Sequence, residues 1–388
     1  MRSLVITDTV YDLRVRAGKL ILNRYHAEGH EVEEYNPRNV DFENVVIGGT
    51  EGNITSSAIE WLSRNSIPVV FLDWKGEITS LIESPSMEGI KRLRQYEAYT
   101  KDRIEIAREI IAGKLSHTRD FLLWLKDRYD IDMGRFQFDQ MFSQLKVAKS
   151  IKSIMGIEGI VANTYWAEFS KVFEDTKFPM GNRDIGKTHR PMNAIDEVNT
   201  LLNYGYGYLK SIIQKTLITN GLDPCIGFLH EAVAGARPLT YDFIEPYRFI
   251  VDWSVIRGIE ANTFTKKDFT RDTLTYSMRL KKSGIDKLLR LIQESLSTRV
   301  RYKGAEWQWY TLIYDKAREF SRDFKAKFTD PEFTTERADT KDLREKILKM
   351  SYAEWKKIGY SKGSLWYMKH NLDKGSFKLY EKSLEKLS

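Results

Sequence analysis

The hydrophobic pattern of this 388-residue chain changes period once, near residue 85, and that change constrains the fold more than any other feature. Before it, short segments alternate apolar with polar residues or run rich in Val and Ile: SLVITDT, YDLRVRAGKLILNRY, ENVVIGG, PVVFLD and GEITSLIES. Side chains along a strand point to opposite faces in turn, so alternation marks half-buried strands and an unbroken Val/Ile run marks a strand buried on both sides. Gly18–Lys19, Gly49–Thr50 and Lys75–Gly76 supply turns between them. One helix interrupts the strands, SSAIEWLSRNS, with Thr55 or Ser56 as its cap.

Beyond Ser84-Pro85-Ser86 the period is helical. Leu93, Tyr96, Thr100, Ile104, Ala107, Ile111 and Leu115 recur at spacings of three and four, which places them on one helical face. A second long helix is predicted over roughly Asp196 to Asn220. Val198, Leu201, Leu202, Leu209, Ile212, Ile213 and Leu217 line its buried side, and Asn220-Gly221 ends it. Further amphipathic stretches cover 265–300 and 310–328. No internal repeat and no low-complexity linker is present. The predicted fold is therefore α+β. A small N-terminal β-rich domain (1–85) precedes a larger, nearly all-α domain (86–388), of which 339–388 is a basic helical tail.

Apolar residues make up 42% and charged residues 30%, which excludes a disordered chain and leaves enough apolar surface for a substantial core. The net charge is +7, and five of those charges fall in 339–388, where twelve Lys or Arg meet seven Asp or Glu. Acidic partners fit such a balance, as does a solvated helix face. Cys225 is the single cysteine, so an intramolecular disulfide and a multi-cysteine zinc site are excluded, and a reducing cytoplasm is the expected compartment. The start, MRSLVITDTVYDLRVR, reads as a strand rather than a signal peptide. No run of ~18 apolar residues announces a membrane span.

The chemistry concentrates in GLDPCIGFLHEAVAGARPLTYDFIEPYR, from Gly221 to Arg248. It sets His230, one of six histidines, fifteen positions before Glu245, with Asp242 and Arg248 one turn to either side of that glutamate. Imidazole with carboxylates is ligand chemistry for a divalent metal, and arginines are the usual partners of phosphate oxygens. Together they suggest metal-assisted work on a phosphodiester. The upstream candidate for a third ligand is Glu158 in SIMGIEGIVANTYW, opposite Ile154, Ile157, Val161 and Tyr165 on its helix. Gly156 and Gly159 flank it. Glycine inside a helix costs roughly 1 kcal/mol, tolerated where another backbone or a ligand comes close. Read alone, Glu158 is equally an exposed helical glutamate, His230 a satisfied core histidine, and Glu245 an acidic residue ahead of a helix-starting proline.

Four motifs in order, GIEG with YW close behind, VNTLLNYGYGYL, GLDPCIGFLH and RPLTYDFIEPYR, resemble the CRISPR-associated integrase family (Cas-one). ITSSAIEWLSRNSIPVVFLDWKGEI resembles that family's N-terminal β domain, and RLRQYEAYTKDRIEIAREIIAGKLSHTRDFL its first long helices. The resemblance spans at least residues 1–256. It implies a metal-dependent DNA endonuclease and integrase that joins 3′-hydroxyl ends of short duplex DNA to a CRISPR repeat. It assigns Glu158, His230 and Glu245 as catalytic metal ligands and gives Asp242 a secondary acidic role. Arg248 and Arg237 become DNA-contacting candidates, and Asn199, Asn203 and Tyr204 are expected to pack and hydrogen-bond behind the ligands. Two carboxylates and a neutral imidazole suit Mg²⁺ or Mn²⁺ better than structural zinc. The partners implied are double-stranded DNA (prespacer and repeat), a second copy of the chain joined through the β domain, and the small Cas-two protein. The setting implied is a prokaryotic cytoplasm, with no membrane. GNRDIGKTHRPMN is longer than the basic loop expected before the asparagine-rich helix, which leaves roles for Arg183, Lys187 and Arg190 open. A metal-dependent nuclease on branched DNA and a non-catalytic DNA-binding scaffold are the competing readings.

In the tail, SYAEWKKIGYSKGSLWYMKHNL (351–372) reads as a helix-turn-helix or as an ordinary helical hairpin. Ser351 caps a first short helix, Gly359 makes the turn, and Ser361 caps a second helix carrying Lys362, Lys369 and His370. In the hairpin reading Trp355, Leu365 and Met368 are core. Deletion of residues 339–388 is expected to weaken binding to duplex DNA and to flatten the dependence of log K on log salt. A salt titration with an unchanged slope would count against phosphate contacts by the tail.

Overall fold

The computed structural model describes residues 3–8, 10–26, 29–42, 44–48, 51–74, 76, 78–82, 89–129, 137–181, 194–273, 277–303, 305–329 and 349–357. Two four-stranded sheets form the N-terminal part. One has the order β1 (Ser3–Ile6), β5 (Asn44–Ile47), β7 (Val69–Leu72), β8 (Ile78–Ile82); the other has β4 (Gly29–Tyr35), β3 (Lys19–His26), β2 (Val10–Arg16), β6 (Glu51–Ile54). β1, β5 and β7 run parallel, and β2–β3–β4 form an antiparallel meander. Ala17 and Gly18 take φ of +50° and +76° in the β2–β3 turn, the left-handed pair that a tight hairpin requires. Helix α1 (Ser56–Arg64) is capped by Thr55, whose side chain accepts from the Ala58 amide, and it buries Ala58, Trp61 and Leu62.

The unbroken apolar runs of β5 and β7 have a specific cause. Val45, Ile47 and Val69 join the core between the two sheets, with Leu4, Leu13, Leu20 and Leu22. Val46, Val70 and Leu72, on the opposite face, join the helical core. β4 and β6, GHEVEEY and EGNI, are strands that hydrophobic pattern does not mark. They lie at the edges of their sheet, where charged and polar residues keep other chains from pairing.

The helical run predicted from Leu93 to Leu115 is two helices, α2 (Gly89–Lys101) and α3 (Arg103–Tyr129). On α3, Ala107, Ile111 and Leu115 are buried as expected, whereas α2 leaves Leu93 and Tyr96 exposed and turns Gln95 inward. The Gln95 side-chain amide decides this orientation. It donates to the Asp223 and Ile226 carbonyls, both at 2.9 Å, and accepts from the Asp223 amide at 2.8 Å. Then follow α4 (Phe138–Val147), α5 (Ile151–Lys171), α6 (Glu197–Thr219), α7 (Pro238–Ile244) and α8 (Phe249–Glu260). Among the described residues, the 265–300 stretch has a 3-10 turn at Lys266–Asp268 and is α-helical over α9 (Lys282–Leu296). A hairpin of β9 (Phe269–Arg271) and β10 (Met278–Leu280) precedes it, and a second hairpin, β11 (Arg299–Tyr302) and β12 (Ala305–Gln308), leads into α10 (Trp309–Asp323). Arg183, Lys187 and Arg190, the Ser84-Pro85-Ser86 boundary and the second helix expected over 361–372 lie outside the described residues. The first tail helix is present at Tyr352–Lys357, with the Ser351 hydroxyl and amide both donating to Glu354 and Trp355 fully buried. No helix among the described residues is long and apolar enough to cross a membrane.

Helix α6 is the axis of the molecule, buried on nearly every side, and capped by Asp196 and Asn220 as its sequence predicts. The β domain seats on it through glycine contacts. A Cβ on Gly207 would lie 1.4 Å from the Gly76 carbonyl oxygen, and Gly76 itself has φ +83° in the turn before β8. The same junction is tied to α9 by Thr7 donating to Asp286 and by Lys282 donating to Asp8, whose other oxygen pairs with Arg24 at 2.5 Å. Gly156 and Gly159 on α5 differ, since a Cβ at either meets nothing within 4 Å. No backbone among the described residues approaches them. The same substitution should therefore have opposite signs at two helical positions. In chemical denaturation Gly207→Ala is expected to lose about 1–3 kcal/mol through overpacking, and Gly156→Ala to gain about 1 kcal/mol of helix propensity.

Candidate active site

Three pieces of chain converge at the middle of α3. The first is α5, whose capping box (Ser150 with Ser153) starts it and whose buried stripe of Ile154, Ile157, Val161 and Tyr165 leaves Glu158 on the partly exposed shoulder. The second is the helical rod from α7 into α8, interrupted by a 3-10 turn at Glu245–Tyr247, where Pro246 lacks the amide proton that a continuous α-helix would use. The third is α3 itself. His117 on α3 is buried and sits 2.6 Å from the Pro246 carbonyl oxygen through Nδ1, which grips the turn carrying Glu245. One turn earlier, the Lys114 ammonium forms an ion pair with Glu158 and lies 2.5 Å from Glu245 Oε2. The two glutamates predicted as ligands are thus brought to one cation.

His230 arrives on the loop between α6 and α7. Gln95 and Arg103 hold that loop, the latter donating to the Phe228 carbonyl at 2.9 Å. Gly227 is required here, because a Cβ would lie 2.7 Å from Pro238 and 2.9 Å from Asp242. Asp242, given a secondary acidic role by the resemblance, faces the loop. It is fully buried and accepts the amides of Phe228 (2.5 Å), Leu229 (3.0 Å) and His230 (3.0 Å), as well as the His230 ring at Nδ1 (2.7 Å). Successive amides closing on a carboxylate form an anion nest. With Nδ1 donating to Asp242, the lone pair of neutral His230 is on Nε2.

Charge binds the group together. Burial pushes the Glu245 carboxyl up, but the charges of Lys114 and Arg248 more than offset it and hold the group at about 2. Burial pushes the His230 imidazole down, while the hydrogen bond and charge of Asp242 and the charge of Glu245 raise it above its ordinary value. Arg248 Nη1 lies 3.3 Å from Glu245 Oε1, and its guanidinium covers the Tyr206 ring at 4.3 Å. Tyr206 and Tyr165 both donate to buried Asp252, which joins α5, α6 and α8 behind the site. Tyr206 is thus an α6 residue that supports the site. Asn199, predicted behind the ligands, ties instead to Asp196 (2.7 Å) and the Gly181 carbonyl (3.1 Å). Tyr204 packs beneath the β domain, its hydroxyl beside Gly48. Asn203 is half-buried on the same helix, and Arg237 is half-buried at the start of α7.

Among the described residues, no three His, Cys, Asp or Glu side chains stand ready as a cation cage. The donor set nevertheless fits a hard divalent ion. Glu245 Oε2 is partnered, among the described residues, by the Lys114 ammonium alone, and both glutamates already converge on that positive charge. Glu158, Glu245 and His230 Nε2 are the atoms that would hold Mg²⁺ or Mn²⁺.

A family model described as CRISPR associated protein Cas1 matches residues 4–294. The CRISPR-associated endonuclease Cas1 1 of Archaeoglobus fulgidus is 30% identical over 298 residues, covering 72% of this chain and 85% of that protein. Among solved structures, a casposase bound to integration product aligns at TM-score 0.80 and 34% identity, over 91% of this chain and all (100%) of that one. A chain of a Cas6-RT-Cas1–Cas2 complex aligns at TM-score 0.69 and 17% identity, over 87% of this chain and 36% of that one, a likeness of fold.

The Asp242 nest yields a pH-dependent expectation. The folded His230 pKa lies above 6.5, so the pairing stabilises the fold fully below pH 6.5 and loses its contribution as pH rises through the folded value. In Asp242→Asn the His230 titration followed by NMR should move down. Denaturation should show a loss of about 1–3 kcal/mol from the mismatched amides.

Proposed function

This chain belongs to the CRISPR-associated Cas1 family, and from that premise we propose that it joins 3′-hydroxyl ends of short duplex DNA to a CRISPR repeat by metal-assisted transesterification. The convergence of Glu158 and Glu245 from distant segments onto one cation position, with His230 oriented by Asp242, is the observation that supports this reading. The related casposase, solved on its integration product, supports the same class of reaction for the shared fold.

In this reading Glu158, Glu245 and His230 hold the ion, whose contribution when bound is Lewis-acid stabilisation of charge on the phosphodiester oxygens. Asp242 keeps the His230 lone pair on Nε2 by taking the other ring proton. Arg248, supported from below by Tyr206, compensates the buried Glu245 carboxylate and presents its remaining guanidinium donors beside it. The protein's share is positioning and electrostatics, since the nucleophile and leaving group both belong to DNA. Among the described residues nothing lies within 4 Å of a Cβ built at Gly156 or Gly159, which flank Glu158 on α5, so this flank is where a duplex would approach. Double-stranded DNA, a second copy of the chain and the small Cas2 protein are the partners of this reading. The Cas1–Cas2 assembly of the structural neighbour supports the last.

A labelled 3′-hydroxyl duplex joined into a repeat-bearing plasmid tests the proposal, with Mn²⁺, Mg²⁺ or chelator and with or without the small partner. Glu158→Ala and His230→Ala are each expected to lower joining by roughly a hundredfold or more while duplex binding in a mobility-shift assay stays near wild type. Joining that survives chelator, or survives either substitution, would reject the assignment. Cleavage of branched DNA without joining would place the activity with nucleases rather than integrases.

A further inference from the structure

We propose that Lys114 is a built-in counter-cation of the Glu158–Glu245 pair, which a divalent ion must displace in order to bind. The inference rests on the metal reading above and adds a residue that the reading does not use. Lys114 lies between Gly113 and Leu115 on the buried side of α3, with Ile110, His117 and Phe121 buried along the same side. Its side chain is 13% exposed and reaches both glutamates, which are 25% and 10% exposed. Arg248 approaches the other oxygen of Glu245, Oε1. The Lys114 ammonium therefore takes the position facing both carboxylates, where an ion shared by the two would stand.

Two like charges gathered from separate segments repel strongly in a partly dry environment, and one positive charge between them removes most of that repulsion. An ammonium and a metal ion cannot both occupy the position between the same oxygens. Binding of the ion and the lysine contact are thus mutually exclusive states, and the observed metal affinity is lowered by the stability of the lysine contact. The exchange has a defined mechanical route. A Cβ on Gly113 would lie 2.7 Å from the Phe328 carbonyl oxygen, so α3 is pressed against that segment, and His117 pins its next turn to Pro246. With the helix held at two points, Lys114 must leave by rotation of its own side chain.

The test uses Mn²⁺ binding by the full chain, followed by calorimetry and by loss of the free-ion EPR signal, with no reliance on DNA joining. Glu158→Ala defines which part of the binding belongs to this site. Lys114→Met and Lys114→Gln, confirmed as folded by circular dichroism, are expected to bind Mn²⁺ at the Glu158-dependent site roughly tenfold or more tightly than wild type. Lys114→Arg, which keeps the charge, should stay close to wild type. Mn²⁺ should also raise the melting temperature of the neutral variants more than that of wild type. Lys114→Gln retains a hydrogen-bond donor and keeps the test open should Lys114→Met fold poorly. Unchanged or weaker affinity in the neutral variants, with Glu158-dependent binding intact in wild type, overturns the counter-cation proposal alone. Binding that ignores Glu158→Ala in every background overturns the metal reading and the proposal together.

Discussion

Glu158 and Glu245 meet because one turn of α3 reaches both segments, with Lys114 pairing to the two carboxylates and His117 holding the Pro246 carbonyl. Without compensation, a partly exposed and a nearly buried carboxylate would push α5 and the α7–α8 rod apart or take up a proton. Much of the surrounding architecture serves the same end. The break at Pro246 tips Glu245 out of a continuous helix. Arg248 lies one turn further on, and the Asp252 carboxylate fastens Tyr165 of α5 and Tyr206 of α6 to α8. The site is therefore a balance of charges on rigid helices rather than a loop-borne constellation.

The two acidic residues of the α7 motif divide the work by environment. Asp242 is closed off by three amides and an imidazole and spends its lone pairs on holding a loop in place. Glu245 is slightly more exposed and turns both oxygens to cations, Oε2 to Lys114 and Oε1 to Arg248. The same carboxylate chemistry gives a structural brace in one case and a partner for two cations in the other. Spacing within the motif does not distinguish them, because Asp242 and Glu245 lie one turn apart on the same rod.

Features written in local pattern were legible from the residues alone. The period change gave the two-part α+β organisation, Asp196 and Asn220 marked the ends of α6, and Ile154, Ile157, Val161 and Tyr165 turned Glu158 away from the core. What escaped was set by partners far along the chain. Gln95 rather than Leu93 faces inward because its amide matches a loop 128 residues away. Tyr206 rather than Asn199 supports the site because Asp252 lies on α8, a relation that four-residue spacing within α6 does not encode. Lys114 did leave a trace, a charged residue on the buried stripe of a long helix, which is rarely placed there without a partner. The edge strands β4 and β6 were invisible to a hydrophobic criterion because their position selects against apolar residues.

The strands β5 and β7 divide their side chains between two cores, Val45, Ile47 and Val69 on one side and Val46, Val70 and Leu72 on the other. Such a sheet works as a party wall: neither compartment can lose its packing without stripping one face of strands that the other needs. The β domain and the helices that carry the glutamates are coupled in stability through this shared wall, although no residue of the wall touches the chemistry.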